Sequence, residues 1–349
     1  MDEEDLKELP VELRESLQRM EAMMEQLSEA VAKARLVGAS AGDAGGPSLD
    51  KLQESQKAVI NLTRNEASKY LVGGQFELAI PGALQCLKFS KQVYGDGSID
   101  IVPAYLLLAE ANLGLGRYHH VEEFLAMAKW GVVKTPDCSN TIRSKLHRNF
   151  GKLYASQGKF PEALKELAVD IYYSSLEFGP EHVDTAAGYY HMATIFYTQN
   201  KIENALAFYD KVVDIWYKFL VSVRSNSEEI DAMSEAQLAE AMAMLRSIGA
   251  TREKYLGAGH IATGEAQYTM GLLQLFTGDN ESARRCVETA LDVYVEHLGD
   301  EHPSTLDVKE VLSQLREAAM FPGGAGASTR GGSAVTGGAG GGGLDGTEP

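Results

Sequence analysis

The sequence predicts an all-α solenoid of about six helical hairpins, closed by a capping helix and preceded by an amphipathic helix. Two observations predict this fold. Small and turn-forming residues recur with a constant spacing along the middle of the chain, and alternating strand patterns are scarce there. A chain of 349 residues with 44% hydrophobic residues is long enough and apolar enough to bury such a core.

The clearest hairpin lies at residues 147–167. Gly151 and Ala163 place small side chains where its two helices would cross, and Gly158 suits the turn between them. The same positions recur 42 residues apart. The first small position is Ala67, Ala109, Gly151 and Ala193. The second is Ala79, Val121, Ala163 and Ala205, where Val121 is the one departure from small, and the turn is Gly74, Gly116, Gly158 and Asn200. Three parallel series with one period indicate a repeat architecture.

One repeat in the second half of the chain is degenerate. The pattern returns at Gly271, Gly278 and Ala283 after a gap that corresponds to one missing repeat. Its second helix is predicted between Ser234 and Tyr255, because a capping box begins at Ser234. Its first helix, in residues 223–233, is poorly patterned.

The connectors between hairpins carry a second repeated motif, Gly-x-x-His-x-x-Thr. Glycine can end one helix and threonine can start or cap the next. No histidine of the motif has a second ligand three or four residues away, so the pattern predicts no metal site. The motif occurs at Gly179/His182/Thr185, Gly257/His260/Thr263 and Gly299/His302/Thr305.

Four regions are predicted from these patterns. Residues 1–35 form an amphipathic helix with a heptad seam, residues 36–50 a flexible linker, residues 51–320 the solenoid, and residues 321–349 a disordered Gly-rich tail. Three heptads are short for an independent coiled coil, so we favour a helix docked on its own domain or on a partner. Whether this helix pairs with itself, and the oligomeric state, stay open.

Composition and charge argue against several classes of partner and site. The formal net charge is -17, which disfavours nucleic acid, anionic membranes and the bare microtubule lattice. Three widely spaced cysteines indicate neither a disulfide framework nor a zinc site. The acidic start and the absence of a long apolar run lead us to expect a soluble protein of a reducing compartment.

The sequence contains no catalytic motif. Walker A, dinucleotide-binding, Gly-x-Ser-x-Gly and His-Glu-x-x-His patterns are missing. Cys138 and His147 could be considered as a nucleophile and base, but no third group is indicated to orient them. We therefore predict no enzyme, no catalytic residue, no cofactor and no metal.

The hairpin pattern resembles the tetratricopeptide repeat, and its longer period with histidine connectors resembles the variety found in kinesin light chains. A closer resemblance is carried by VPAYLLLAEANLGLGR at residues 102–117, PDCSN at 136–140, LHRN at 146–149 and SEAQLAEAMAMLRSI at 234–248. These strings are similar to the repeat region of the zinc finger MYND-domain-containing protein twelve family, over residues 52–256.

That resemblance implies a superhelix whose concave face is lined by the first helix of each hairpin. It also implies a protein of motile cilia and flagella, an axonemal component connected with inner dynein arms that works beside another tetratricopeptide protein. The chain departs from the family pattern because no cysteine precedes Cys86. The zinc finger is absent, and partners bound through it are therefore in doubt.

Projecting the repeat geometry predicts a groove on the concave face. Basic residues in an otherwise acidic chain would suit an acidic or extended peptide, and tyrosines would add rigid contact area. Alternatively these side chains are solvated, or are covered by the protein's own N-terminal helix. The predicted groove residues are Arg64, Lys145, Arg148, Lys152, Tyr190, Tyr197 and Tyr268.

The favoured hypothesis is a non-catalytic interaction scaffold of the ciliary or flagellar axoneme and cytoskeleton. It would help dock or stabilise inner dynein arms with a second tetratricopeptide protein. The alternative is a cytoplasmic cochaperone or assembly adaptor that grips acidic peptide termini. Lys145 and Asn149 fall near the clamp positions of such proteins, but Ser68 and Leu107 depart from the clamp pattern.

Overall fold

The computed structural model describes residues 9–38, 49–224 and 233–320. These residues form thirteen α-helices and a short 3-10 helix at Ile99–Ile101, and no strand occurs among them. The helices are α1 Val11–Gly38, α2 Leu49–Val72, α3 Phe76–Tyr94, α4 Val102–Gly114, α5 Tyr118–Lys134, α6 Asn140–Ser156, α7 Phe160–Phe178, α8 Val183–Thr198, α9 Ile202–Val223, α10 Glu235–Leu256, α11 Ile261–Phe276, α12 Asn280–Leu298 and α13 Pro303–Met320. The predicted all-α repeat fold is confirmed.

Five hairpins are complete in the described part of the chain. They pair α2 with α3, α4 with α5, α6 with α7, α8 with α9 and α11 with α12. Helix α10 is the second helix expected for the degenerate repeat, and the reciprocal Ser234–Gln237 capping box that starts it is present. The weakly patterned first helix expected before it falls largely on residues 225–232, which lie outside the described residues.

The 42-residue series marks the points where paired helices touch. Ala67, Ala109, Ala163 and Ala193 are fully buried. A Cβ atom added at Gly151 would lie 2.7 Å from the Leu167 Cγ of the paired helix, closer than ordinary van der Waals contact. Small side chains are therefore a steric requirement of the hairpin.

The hairpin turns and connectors use different residues for different tasks. In the turns, Gly158 has φ of 74° and Asn200 has φ of 60°, the left-handed conformation that asparagine tolerates better than most residues. In the connector before α8, the His182 Nδ1 accepts a hydrogen bond from the Asp184 N–H at 3.2 Å. The buried Thr185 hydroxyl donates to the Gly179 carbonyl at 2.9 Å.

These contacts refine the prediction for the connector motif. Glycine ends the preceding helix as expected, but histidine is the N-cap of the next helix, and threonine ties the connector back to the glycine. His260 caps α11 in the same way, accepting from the Ala262 N–H at 3.1 Å. His302 accepts from the Ser304 N–H at 3.2 Å at the start of α13.

The order of helix contacts separates an inner from an outer face. First helices of successive hairpins contact one another, as α2 with α4, α4 with α6 and α6 with α8. Second helices pack mainly against first helices. The first helices therefore line the inner side of the array, and the second helices α3, α5, α7, α9 and α12 form its outer side.

The N-terminal helix packs on the repeat array. Its heptad residues Leu13, Leu17, Met20 and Met24 are buried in one cluster with residues of α2 and α3 that include Phe89. The Gln85 amide adds a hydrogen bond to the Leu17 carbonyl at 2.9 Å. In this arrangement the heptad seam faces the protein's own first hairpin.

We predict that Ala163→Leu destabilises the protein by about 1–3 kcal/mol, because the larger side chain overpacks the crossing point with α6. The measurement is the free energy of unfolding from a denaturant titration. Ala168→Leu is the matched control, since Ala168 is exposed on the same helix. Equal stability of the two variants would contradict the assigned helix register.

Candidate functional site

The seven residues predicted for the groove all lie on first helices, hence on the inner side of the array. Arg64 is on α2, three basic residues are on α6, two tyrosines are on α8 and Tyr268 is on α11. Their surroundings differ, however, and only part of the set is free to meet a partner.

Arg148 is held in a structural ion pair. Its Nε donates to the Asp170 Oδ2 at 2.8 Å and its Nη2 to the Oδ1 at 3.1 Å, while Nη2 also donates to the Asp184 carbonyl at 3.0 Å. The Asp170 carboxylate is fully buried and also accepts from the Ser144 hydroxyl. Burial alone would lower the pKa of Arg148, but Asp170 raises it. The guanidinium joins α6 to α7 and α8.

Lys152 is paired as well. Its Nζ donates to the Glu110 Oε1 on α4 at 3.2 Å, and the Asn149 amide donates to the same oxygen at 3.3 Å. Burial would raise the pKa of Glu110, yet the Lys152 charge and hydrogen bond lower it. This cluster fixes α6 against α4.

Lys145 and Arg64 carry the charges that remain available on this face. Within residues 9–38, 49–224 and 233–320, neither forms an ion pair. Lys145 is exposed to solvent, although neighbouring residues bury part of its side chain. This partial burial, together with the positive charges of Arg148 and Arg64, lowers the pKa of Lys145. A carboxylate brought to this position would relieve that repulsion.

His191 lies beside this cluster and was not predicted from the sequence. Burial, followed by the charges of Lys152 and Arg148, lowers its pKa well below the usual histidine range. The imidazole is therefore neutral at physiological pH. Its Nε2 is buried and has no hydrogen-bond partner among the residues that the structure describes.

The three tyrosines divide between the core and the groove. Tyr268 is buried and donates its hydroxyl to the Asp307 carboxylate on α13 at 2.6 Å, so it fixes the capping helix. Tyr190 is half-buried with its ring centroid 5.9 Å from that of Tyr209. Tyr197 accepts a hydrogen bond from the Lys254 Nζ of α10 at 3.2 Å. None of the three presents a fully free ring.

Helix α10 crosses the inner face. It packs against α11 and also reaches α2, the first helix of the first hairpin. Met244, Leu245 and Ile248 of α10 are buried in the core cluster of the C-terminal repeats. Lys254 of α10 donates a hydrogen bond to the Tyr197 hydroxyl of α8, and the charge of Glu240 raises the pKa of Arg148, after the larger effects of burial and Asp170. Helix α10, rather than the N-terminal helix, covers part of the predicted groove.

A buried arginine anchors the C-terminal half of α10. The Arg252 side chain is 1% exposed, pairs with the Asp210 carboxylate of α9 and donates to the Ala262 carbonyl at 2.6 Å. The N-terminal half meets α2 more loosely. A cleft of about 400 Å³ separates the two helices there, lined by Lys69, Val72, Gly73, Glu235, Ala236, Ala239, Met242, Ala243 and Arg246.

The charged side chains of this face are used mainly in contacts between helices. Its carboxylates and cations neutralise one another between helices, and no cluster of three or more His, Cys, Asp or Glu side chains suited to a metal occurs in the described ranges. His147, once considered as a base, has its Nδ1 2.6 Å from the Glu166 carboxylate, across α6 and α7. Cys138 is buried in the connector before α6.

Comparison with known proteins identifies the repeat type. Residues 186–215, in α8 and α9, and residues 275–304, around α12, match models of the tetratricopeptide repeat. The chain is thus a tetratricopeptide-like repeat array, and such repeats indicate a protein-interaction scaffold. None of the described helices is long and apolar enough to cross a membrane.

Two solved structures match parts of the chain at low identity and low TM-score. One is a putative kinesin light chain from Podosopora anserina with nearly identical TPR-like repeats: identity is 15%, the TM-score is 0.36, and the match covers 68% of this chain and 95% of that one. The other is BtubC (BKLC) from P. vanneervenii, with 16% identity, a TM-score of 0.35 and coverage of 76% and 99%.

We predict that Asp170→Asn destabilises the protein by about 3–5 kcal/mol, because the Arg148 guanidinium is left buried without its counter-charge. Arg148→Met should lose a similar amount. Denaturant titration of both single variants and the double variant checks the pair: the double variant should lose less than the sum of the singles. Additive losses would contradict a direct interaction.

Proposed function

We propose that this protein is a non-catalytic scaffold of the ciliary or flagellar axoneme, which helps dock or stabilise inner dynein arms together with another tetratricopeptide protein. The repeat array supports the scaffold part of the proposal. The resemblance of four sequence strings to an axonemal family supports the location and the partners. The dynein arms and the second repeat protein are thus expected partners rather than observed ones.

One observation carries the proposal. The longest strings of the resemblance, at residues 102–117 and 234–248, include α4 and the first two thirds of α10. Helix α4 lines the inner side, and α10 crosses it. Similarity in both helices supports a shared inner-face architecture, including the self-covered groove, and not merely a shared repeat type.

The alternative of a carboxylate-gripping cochaperone receives no support from the site. Asn149, near a clamp position, already donates its amide to Glu110 and to the Lys145 carbonyl. Leu107 is buried in the packing of α4. Among the described residues, a peptide terminus would find the cations Lys145 and Arg64, but the Asn149 amide beside Lys145 is already engaged.

The location is tested with the full chain carrying a fluorescent tag in multiciliated cells. We expect the tag along axonemes, and expect cross-linking in place to recover inner-arm dynein chains and a second tetratricopeptide protein. A tag that stays in the cell body and is missing from detergent-extracted axonemes would overturn the proposal.

We predict that Arg64→Glu with Lys145→Glu lowers the recovery of a groove-bound acidic partner by about two- to tenfold, since two attractions, one from the half-buried Arg64 and one from the exposed Lys145, become repulsions. Helicity should stay intact because neither residue is ion-paired in the described structure. The measurement is quantitative mass spectrometry of cross-linked axonemal proteins, with circular dichroism of the purified chain.

The matched control is Lys57→Glu with Lys165→Glu, which changes the net charge by the same amount at exposed positions of α2 and α7. If both double variants lower recovery equally, overall charge is responsible and the groove is not.

A further inference from the structure

Large exposed apolar side chains are concentrated on two neighbouring outer helices. On α5, Trp130 is 55% exposed and Val133 70% exposed, with Met127 also exposed one turn earlier. On α7, Tyr172 is 59% exposed and Leu176 is exposed one turn later. We name these five residues the outer ridge. Clustered exposed side chains of this kind mark interaction sites more often than single ones do.

The repeat register shows that packing does not require the outer ridge. Trp130 and Tyr172 are 42 residues apart and occupy the same position on successive outer helices. Lys88 on α3 and Asp214 on α9 occupy that position in the flanking hairpins, where the fold is the same. The apolar side chains are therefore particular to the second and third hairpins.

A cleft of about 350 Å³ lies beside the Trp130 ring. The cleft is lined by Asp96, Gly97, Ser98, Ile101, Val102, Tyr105, Ala126, Met127, Trp130 and Gly131. Helix α5 packs closely on α4 at Gly131, because a Cβ atom there would lie 2.9 Å from the Val102 side chain. A concave apolar cleft next to an exposed tryptophan can bury one large aliphatic side chain of a partner.

The unpaired charges beside Trp130 favour an acidic partner, since the one carboxylate that lines the cleft, Asp96, pairs with Lys91 at 3.4 Å. The Lys134 Nζ lies 3.8 Å from the centre of the Trp130 ring, and the Lys129 Nζ lies 5.7 Å from that of Phe150. Both lysines are exposed, and neither pairs with a carboxylate in the part of the chain that the structure describes. A second copy would bring the same two lysines to the contact instead of a complementary charge, so self-association through this surface is disfavoured.

We propose that the outer ridge docks an amphipathic helix of another protein, with aliphatic side chains against Trp130 and its cleft and acidic side chains opposite Lys129 and Lys134. This mode uses helix anchors spaced by three or four residues, which match the spacing of Met127, Trp130 and Val133. The inference rests on the scaffold function proposed above and adds a surface separate from the inner groove.

The purified full chain tests this with a fluorescein-labelled model helix that has leucine on one face and glutamate on the other. Fluorescence anisotropy should show saturable binding, at least about tenfold weaker for the same peptide with lysine in place of glutamate. Trp130→Ala should weaken binding at least about tenfold. Leu306→Ala, an exposed leucine on α13, should not change it.

The chain's own tryptophans locate the contact. Of the two, Trp216 is buried and Trp130 is exposed. Peptide binding should therefore shift the tryptophan emission to shorter wavelength in the unmodified chain and not in Trp130→Phe, whose fold is checked by circular dichroism. Binding that ignores the peptide's charge, or that survives Trp130→Ala unchanged, overturns the proposal.

Sedimentation velocity tests whether the outer ridge instead binds a second copy of the chain. Dimers that disappear in Trp130→Ala would assign the outer ridge to a second copy and overturn the heterologous partner. The axonemal proposal fails independently, if the unmodified chain is missing from axonemes. The outer-ridge proposal is decided only by the binding experiments with the purified protein.

Discussion

The hairpins close where small residues of paired helices meet, with Val121 as the one larger residue in the series. At Gly151 and Ala163 the two helices approach so closely that even a methyl group on the glycine would meet Leu167. Repetition of this contact every 42 residues fixes the relative placement of the inner and outer helices. The basic cluster on α6 and the outer ridge on α5 and α7 both take their positions from it.

The parts of the fold that depend on local sterics were predictable from the sequence. Helix pairing, the turn at Asn200 and the capping box at Ser234 each follow from residues close together in the chain. The ion pair of Arg148 with Asp170 was not predictable, because the carboxylate comes from another helix and no local pattern selects it. The path of α10 across the inner face was not predictable either. Its amphipathic pattern shows that one side of the helix is buried, but not which helices bury it.

The inner and outer faces differ in whether their side chains already have partners within the protein. On the inner face, carboxylates from α4 and α7 neutralise Lys152 and Arg148, and α10 covers part of the surface. On the outer face, the apolar side chains of the outer ridge are exposed, and the two lysines near Trp130 pair with no carboxylate among the described residues. A scaffold with both faces can hold one partner through charge on the inside and another through apolar contact on the outside.

The contact between α10 and α2 changes the physics of the array. In an open solenoid each repeat touches only its neighbours, so the ends fray and unfold independently. Here α10, a helix of the degenerate repeat, also contacts α2 of the first hairpin. Unfolding of α10 or of the first hairpin would therefore remove a contact that supports the other, and the hairpins between them are expected to unfold more cooperatively than those of an open array.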